Sequence, residues 1–182
     1  AAESGSFELV KELFDRGSPL DIPDSEGLTP LQLAASRGFG DCVAFMVYSG
    51  ADIHATDNRN ETAVHKASAI GASDVVHVLA EHDSDINLKN AQQHTALHLA
   101  SKYGHGDCVK MLLGFASNPN LQDAKGDTAA HFAARGGHLA CIGYLIEYEG
   151  DMNIENVAKR TPLQEARLQN HTHIITYVEQ QM

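Results

Sequence analysis

Apolar and polar positions along the chain recur every 33 residues without an insertion. Val10, Val43, Val76, Val109, Ile142 and Ile175 form one apolar slot of this period. Ala1, Ala34, Ala67, Ala100, Ala133 and Ala166 form a small one. Thr29, Thr62, Thr95, Thr128 and Thr161 share a third slot, and Gly5, Gly38, Gly71, Gly104 and Gly137 a fourth, which Asn170 closes. Each period contains two stretches of helical spacing. In Thr29-Pro30-Leu31-Gln32 a good N-cap precedes a Pro suited to the first helical turn, and the apolar face runs through Ala34 to Gly38. Asp41-Cys42-Val43 opens a second helix with Val43, Met46 and Val47 on one face, ending at Gly50. An extended stretch from Asp52 to Asp57 then reaches the next period. The pattern predicts helix, turn, helix and protruding finger. One such unit cannot bury its own apolar face, so the units must stack.

Composition narrows the setting. The chain has 182 residues, 43% hydrophobic and 20% charged, which suits one folded domain or a short repeat array. A net charge of −11 argues against nucleic-acid binding, which needs clustered cations. No apolar run approaches the roughly 20 residues of a membrane-spanning helix. Three Cys in a chain this long argue against a disulfide scaffold. The expectation is a soluble, acidic, intracellular chain, in the cytoplasm or alternatively the nucleus.

In register, the chain resembles the ankyrin repeat family over essentially its whole length. The family's T-P-L-H signature stands here as Thr29-Pro30-Leu31-Gln32, Thr62-Ala63-Val64-His65, Thr95-Ala96-Leu97-His98, Thr128-Ala129-Ala130-His131 and Thr161-Pro162-Leu163-Gln164. Its G-A-D-x-N tail stands as Gly50-Ala51-Asp52-Ile53-His54, and as Ser84-Asp85-Ile86-Asn87 without the glycine. The resemblance implies an all-α solenoid of stacked helix-turn-helix units with hairpin fingers and a concave binding surface. The expected division of residues 1–182 is a truncated first repeat over 1–23 and full repeats over 24–56, 57–89, 90–122 and 123–155. A C-terminal capping repeat follows over 156–182, with polar Arg167 and Glu179 on its outward face. Residues 1–5 align with 34–38, so the chain reads as an excerpt that begins inside a helix. Asp83, Ala116 and Glu149 replace the Gly expected after the second helix, so each either tolerates a strained left-handed conformation or ends the helix differently; reshaped corners are expected, with Gly150 taking over from Glu149.

Little in the sequence points to chemistry. Cys42, Cys108 and Cys141 share one slot, and helices stacked about 8–10 Å apart hold them beyond the roughly 7 Å reach of a disulfide. Burial as small hydrophobes is the favoured reading. His65, His98 and His131 are a repeat apart, too far to converge on one metal ion. In the family this His ties neighbouring fingers together, and that role is expected here. His105 and His138 read as turn residues. Nucleophile-elbow, P-loop and dinucleotide fingerprints are missing from the sequence, so neither an enzyme nor a cofactor is expected. The Asn60-Glu61-Thr62 and Asn170-His171-Thr172 sequons are discounted as repeat filler.

Function is then expected where the scaffold leaves side chains free. Arg37, Lys66, Lys102 and Arg135 place one cation on the concave side of four successive units, with Ile70, Leu99, Tyr103 and Phe132 as apolar surface among them. Apolar anchors beside Lys or Arg are the usual make-up of a binding hot spot. The predicted partner is a protein segment or domain with acidic and apolar groups, bound by a monomeric array without nucleic acid or membrane insertion. The parent protein would be an adaptor or scaffold; the alternative is a recruiting domain of an enzyme or channel whose working part lies outside this chain. Hydroxylases acting on ankyrin repeats favour a Leu, five residues, an acid, an apolar residue and Asn. Asn87, after Leu79 and Asp85-Ile86, and Asn153, after Leu145 and Asp151-Met152, fit that pattern as candidate modification sites; bracing the loop is the competing role.

Overall fold

The computed structural model describes residues 1–82 and 84–181. Eleven helices stand among the described residues, and no strand does. An inner row contains α2 (Pro30–Arg37), α4 (Ala63–Ile70), α6 (Ala96–Tyr103), α8 (Ala129–Gly136) and α10 (Pro162–Leu168). An outer row contains α1 (Phe7–Asp15), α3 (Gly40–Tyr48), α5 (Ser73–Glu81), α7 (Gly106–Gly114), α9 (Leu139–Glu147) and α11 (Thr172–Gln181). Each inner helix packs on its own outer helix and on the next inner helix. Fully buried Ala34, Ala67, Ala100, Ala133 and Ala166 let the inner helices approach closely. The outer row packs less tightly, so the stack curves with the inner helices on its concave side.

Each inner helix starts with a reciprocal cap. Thr95 N–H donates to His98 Nδ1 at 3.1 Å, and the His98 N–H returns to Thr95 Oγ1 at 3.4 Å. Gln32 and Gln164 close the same box at the ends of the array. The ring's other edge reaches the next finger: His98 Nε2 donates to Asp127 O at 3.1 Å and His131 Nε2 to Arg160 O at 2.9 Å. The expected finger tie is present, and these partners fix the tautomer with the proton on Nε2.

Gly71 and Gly104 end their inner helices at φ 81° and 78°. A Cβ at Gly104 would lie 2.5 Å from His138 Nδ1, so the glycine also makes room for a ring from the next unit. That ring uses Nε2 to bond Lys102 O at 3.3 Å, as His105 bonds Ala69 O at 3.2 Å. These histidines, expected as turn residues, brace the exposed carbonyls of the preceding helix.

At the unusual corners the first alternative holds, and the expected shift to Gly150 does not occur. Ala116 (φ 62°) and Glu149 (φ 63°) adopt the left-handed conformation themselves, and Gly150 does not take it over. The short corners after α7 and α9 require that conformation, so Ala116 and Glu149 tolerate it rather than move it. Asp83 lies outside the described residues. Cys42, Cys108 and Cys141 are buried free thiols, and burial first of all raises the last two to about 12 and about 11. Arg167 and Glu179 face each other across α10 and α11 at 2.6 Å.

Candidate functional site

The fingers fold back over the N-terminal ends of the inner helices, and their acids decide which concave cations remain free. Lys66 Nζ lies 2.6 Å from both Asp57 Oδ2 and Glu61 Oε2, with its side chain only 15% exposed. Burial alone would lower the Lys66 pKa, but the two carboxylates outweigh it and raise it. Asn90 of the next finger donates to Glu61 Oε1 at 3.1 Å and closes the cluster.

A second cluster surrounds Arg135. Its Nη2 lies 2.9 Å from Asp127 Oδ2 and 3.1 Å from Glu165 Oε1, while its Nε donates to Glu165 Oε2 at 3.2 Å. Arg160 Nε adds a bond to Glu165 at 2.8 Å, and Asn156 Nδ2 bridges Asp127 and Glu165 at 2.7 and 3.1 Å. Burial would raise the Glu165 carboxyl, but Arg135 and Arg160 hold it down to about 2. Lys66 and Arg135 therefore lock fingers to helices; they are not the free cations the sequence suggested. Arg37 is exposed and pairs with Glu3 at 3.1 Å. An exposed pair of this kind contributes little.

Between the two clusters the finger slots hold weaker partners. His94 Nε2 lies 3.2 Å from Asp123 Oδ2, and its buried Nδ1 has no partner. Burial lowers the His94 pKa, with Asp123 opposing. Leu99 is 6% exposed, so the apolar surface expected of it is absent: it lies in the slot that Lys66 fills one unit earlier and is covered by the fingers. Phe132 is half-buried, edge-on to His94 and His98 at 5.2 and 5.9 Å, with Arg135 Cζ 5.6 Å from its centroid.

Two neighbouring units in the middle of the concave side carry exposed apolar groups, and Leu168 adds one at the end of α10. Ile70 is 46% and Tyr103 51% exposed, at the C-terminal ends of α4 and α6. Lys102 Nζ lies 5.4 Å from the Tyr103 ring centroid, and among the described residues it has no ion-pair partner. Beside it, His94, Asp123, Lys125, Phe132 and Arg135 line a cavity of about 450 Å³. Lys125, on the next finger, joins Lys102 there. Asn87 and Asn153 are exposed on the finger loops, and Asn87 Oδ1 accepts from Asn118 N–H at 2.8 Å.

Among the described residues no three His, Cys, Asp or Glu side chains converge as a metal site, and no helix is long and apolar enough to cross a membrane. The fold defines a helical repeat solenoid with a groove along its inner row. A family model described as "Ankyrin repeats (3 copies)" matches residues 1–90, 34–123 and 97–180, and the chain belongs to the ankyrin repeat family. Over 51 residues it is 45% identical to the Potassium channel AKT2/3 of Arabidopsis thaliana. That stretch is 28% of this chain and spans 6% of the channel's length.

Proposed function

We propose that the chain is a non-catalytic protein-interaction module that takes a partner segment on its concave face, centred on Tyr103, Ile70 and the cavity under the fingers. The observation that carries this reading is the pairing of exposed Tyr103 with an uncommitted Lys102 at the rim of that cavity. Tyr is a rigid amphipathic anchor, and Lys102 with Lys125 offers positive charge to an acidic partner. Phe132 supplies the apolar floor. Lys66, Leu99 and Arg135 shape the groove from beneath, and Arg37 lies at its edge. The similarity to a channel supports a second reading, in which the array recruits partners for a larger channel or enzyme.

Selection from a displayed peptide library tests the leading reading. The selected peptides should combine Asp or Glu with an aromatic or aliphatic residue. Tyr103→Ala should weaken them about tenfold or more, mainly through a faster off-rate. Lys102→Glu with Lys125→Glu should act through the on-rate, most at low salt. Undiminished binding by both variants would overturn the reading.

A further inference from the structure

Three grooves cross the outer row, each combining aromatic walls with one carboxylate. Phe45 and Tyr48 flank Asp41 between α1 and α3. Phe115 and Tyr148 accompany Asp107 between α5 and α7, where Lys110 also lines the groove and would have to swing aside for a guanidinium. Tyr144 and Tyr177 accompany Glu147 between α9 and α11. Each groove has a volume of about 570 Å³, and Tyr48 is 72% exposed.

The three carboxylates are uncommitted: among the described residues none has an ion-pair partner. Asp41 and Asp107 sit in first helical turns, where the helix dipole favours them. Glu147 ends α9, where the dipole disfavours an acid, so helix stability does not account for it. Helices α3, α5, α7 and α9 carry Asp41, Asp74, Glu81, Asp107 and Glu147 against the single cation Lys110. Lys110 itself lies 5.5 Å from the Tyr144 ring centroid, an example within this chain of a cation held on that aromatic ridge.

A carboxylate beside an aromatic face suits a guanidinium, which ion-pairs with the one and stacks on the other. We propose that the convex face binds an extended, arginine-bearing protein segment that runs across the outer helices and sets one Arg in each groove. The grooves recur every second unit, so with helices stacked about 8–10 Å apart they stand roughly 16–20 Å from one another. An extended chain covers that distance in about five to six residues. The surface is separate from the concave groove and opposite to it in charge preference.

Two synthetic peptides in a Gly/Ser background test the proposal: one with three Arg roughly six residues apart, and its isomer with the three Arg adjacent. The spaced peptide should shift backbone amides around Tyr48, Phe115 and Tyr177 and bind about tenfold tighter than the isomer, since three linked contacts reinforce one another. Asp41→Asn, Asp107→Asn and Glu147→Gln combined should abolish that advantage, and Lys110→Glu should increase it. If the triple variant loses helix content, Glu147→Gln and Tyr48→Ala are read singly, each expected to weaken the spaced peptide. Equal binding of both isomers would reveal plain attraction to an acidic chain and overturn the proposal. So would shifts confined to the concave face, which would leave the proposed concave groove standing.

Discussion

Every inner helix begins with a Thr paired to a His or Gln, whereas α1, α3, α5, α7 and α9 begin without a side-chain cap. The inner row is held in register by directional bonds that reach across repeats, and its cations are drawn into that scaffold at Lys66 and Arg135. The outer row relies on apolar packing and leaves its carboxylates solvated. Charge on a repeat surface is thus available for binding only where the neighbouring finger supplies no counter-ion, as at Lys102.

The largest effects should come from the inner row. Leu97→Ala removes a fully buried side chain and should cost about 2–5 kcal/mol. His98→Ala, which opens both the cap and the finger tie, should cost about 2–4 kcal/mol. Tyr48→Ala on the outer row should stay within about 0.5 kcal/mol. Urea unfolding measures all three, and an outer-row loss equal to the inner would break the contrast.

Acid should act through the same ties. Burial above all lowers the pKa of His65, His98 and His131, for His98 to about 4. The unfolded chain then takes up protons first, so stability is complete above about pH 6.5 and falls as pH drops from there towards 4. His98 alone accounts for a loss on the order of 3 kcal/mol. Glu165 adds a loss as pH falls from 4.5 towards 2, because its folded pKa is depressed. His98→Gln keeps a side chain that Gln32 and Gln164 show to be sufficient for the cap. It should flatten the profile between pH 6.5 and 4 in urea titrations; an unchanged slope would exclude His98 as the cause.

A smaller gain is expected from the inner row's own flaws. Ser68 and Ser101 are buried with unpartnered hydroxyls in the slot that Ala35 and Ala134 also fill. Ser101→Ala should stabilise the fold by about 1 kcal/mol in thermal or urea unfolding, and a loss would point to a hidden partner. The subtlest test concerns Asn87 and Asn153 under an asparaginyl hydroxylase. Asn87 braces the Asn118 amide, so mass spectrometry should find Asn153 oxidised first; oxidation at neither would end the idea.

Helices, caps and the concave side were legible because a 33-residue register exposes each slot's chemistry repeatedly. The state of the concave cations was not, since it depends on each finger folding back onto the inner helix that follows it, with Asp57 and Glu61 reaching Lys66 and Asp127 reaching Arg135. Glu61 and Asn90 stand 29 residues apart, as do His94 and Asp123, and Asp127 and Asn156. Those pairs tie finger to finger; the available signal for Lys66 and Arg135 was the acid in their own fingers, at Asp57, Glu61 and Asp127, where the Lys102 unit carries Asn90 and His94. Leu99 misled for a related reason: its slot lies under the fingers, so its size in the sequence did not mean surface.

An acidic partner is expected to bind in the concave groove and not on the outer helices. Amide shift mapping with an acidic peptide selected on the wild-type chain locates that contact. The largest shifts should fall at Ile70, Tyr103, Lys102 and Phe132, lost in Tyr103→Ala and unchanged in Lys110→Glu. Shifts centred on Tyr48, Phe115 and Tyr144, surviving Tyr103→Ala and abolished by Lys110→Glu, would contradict it.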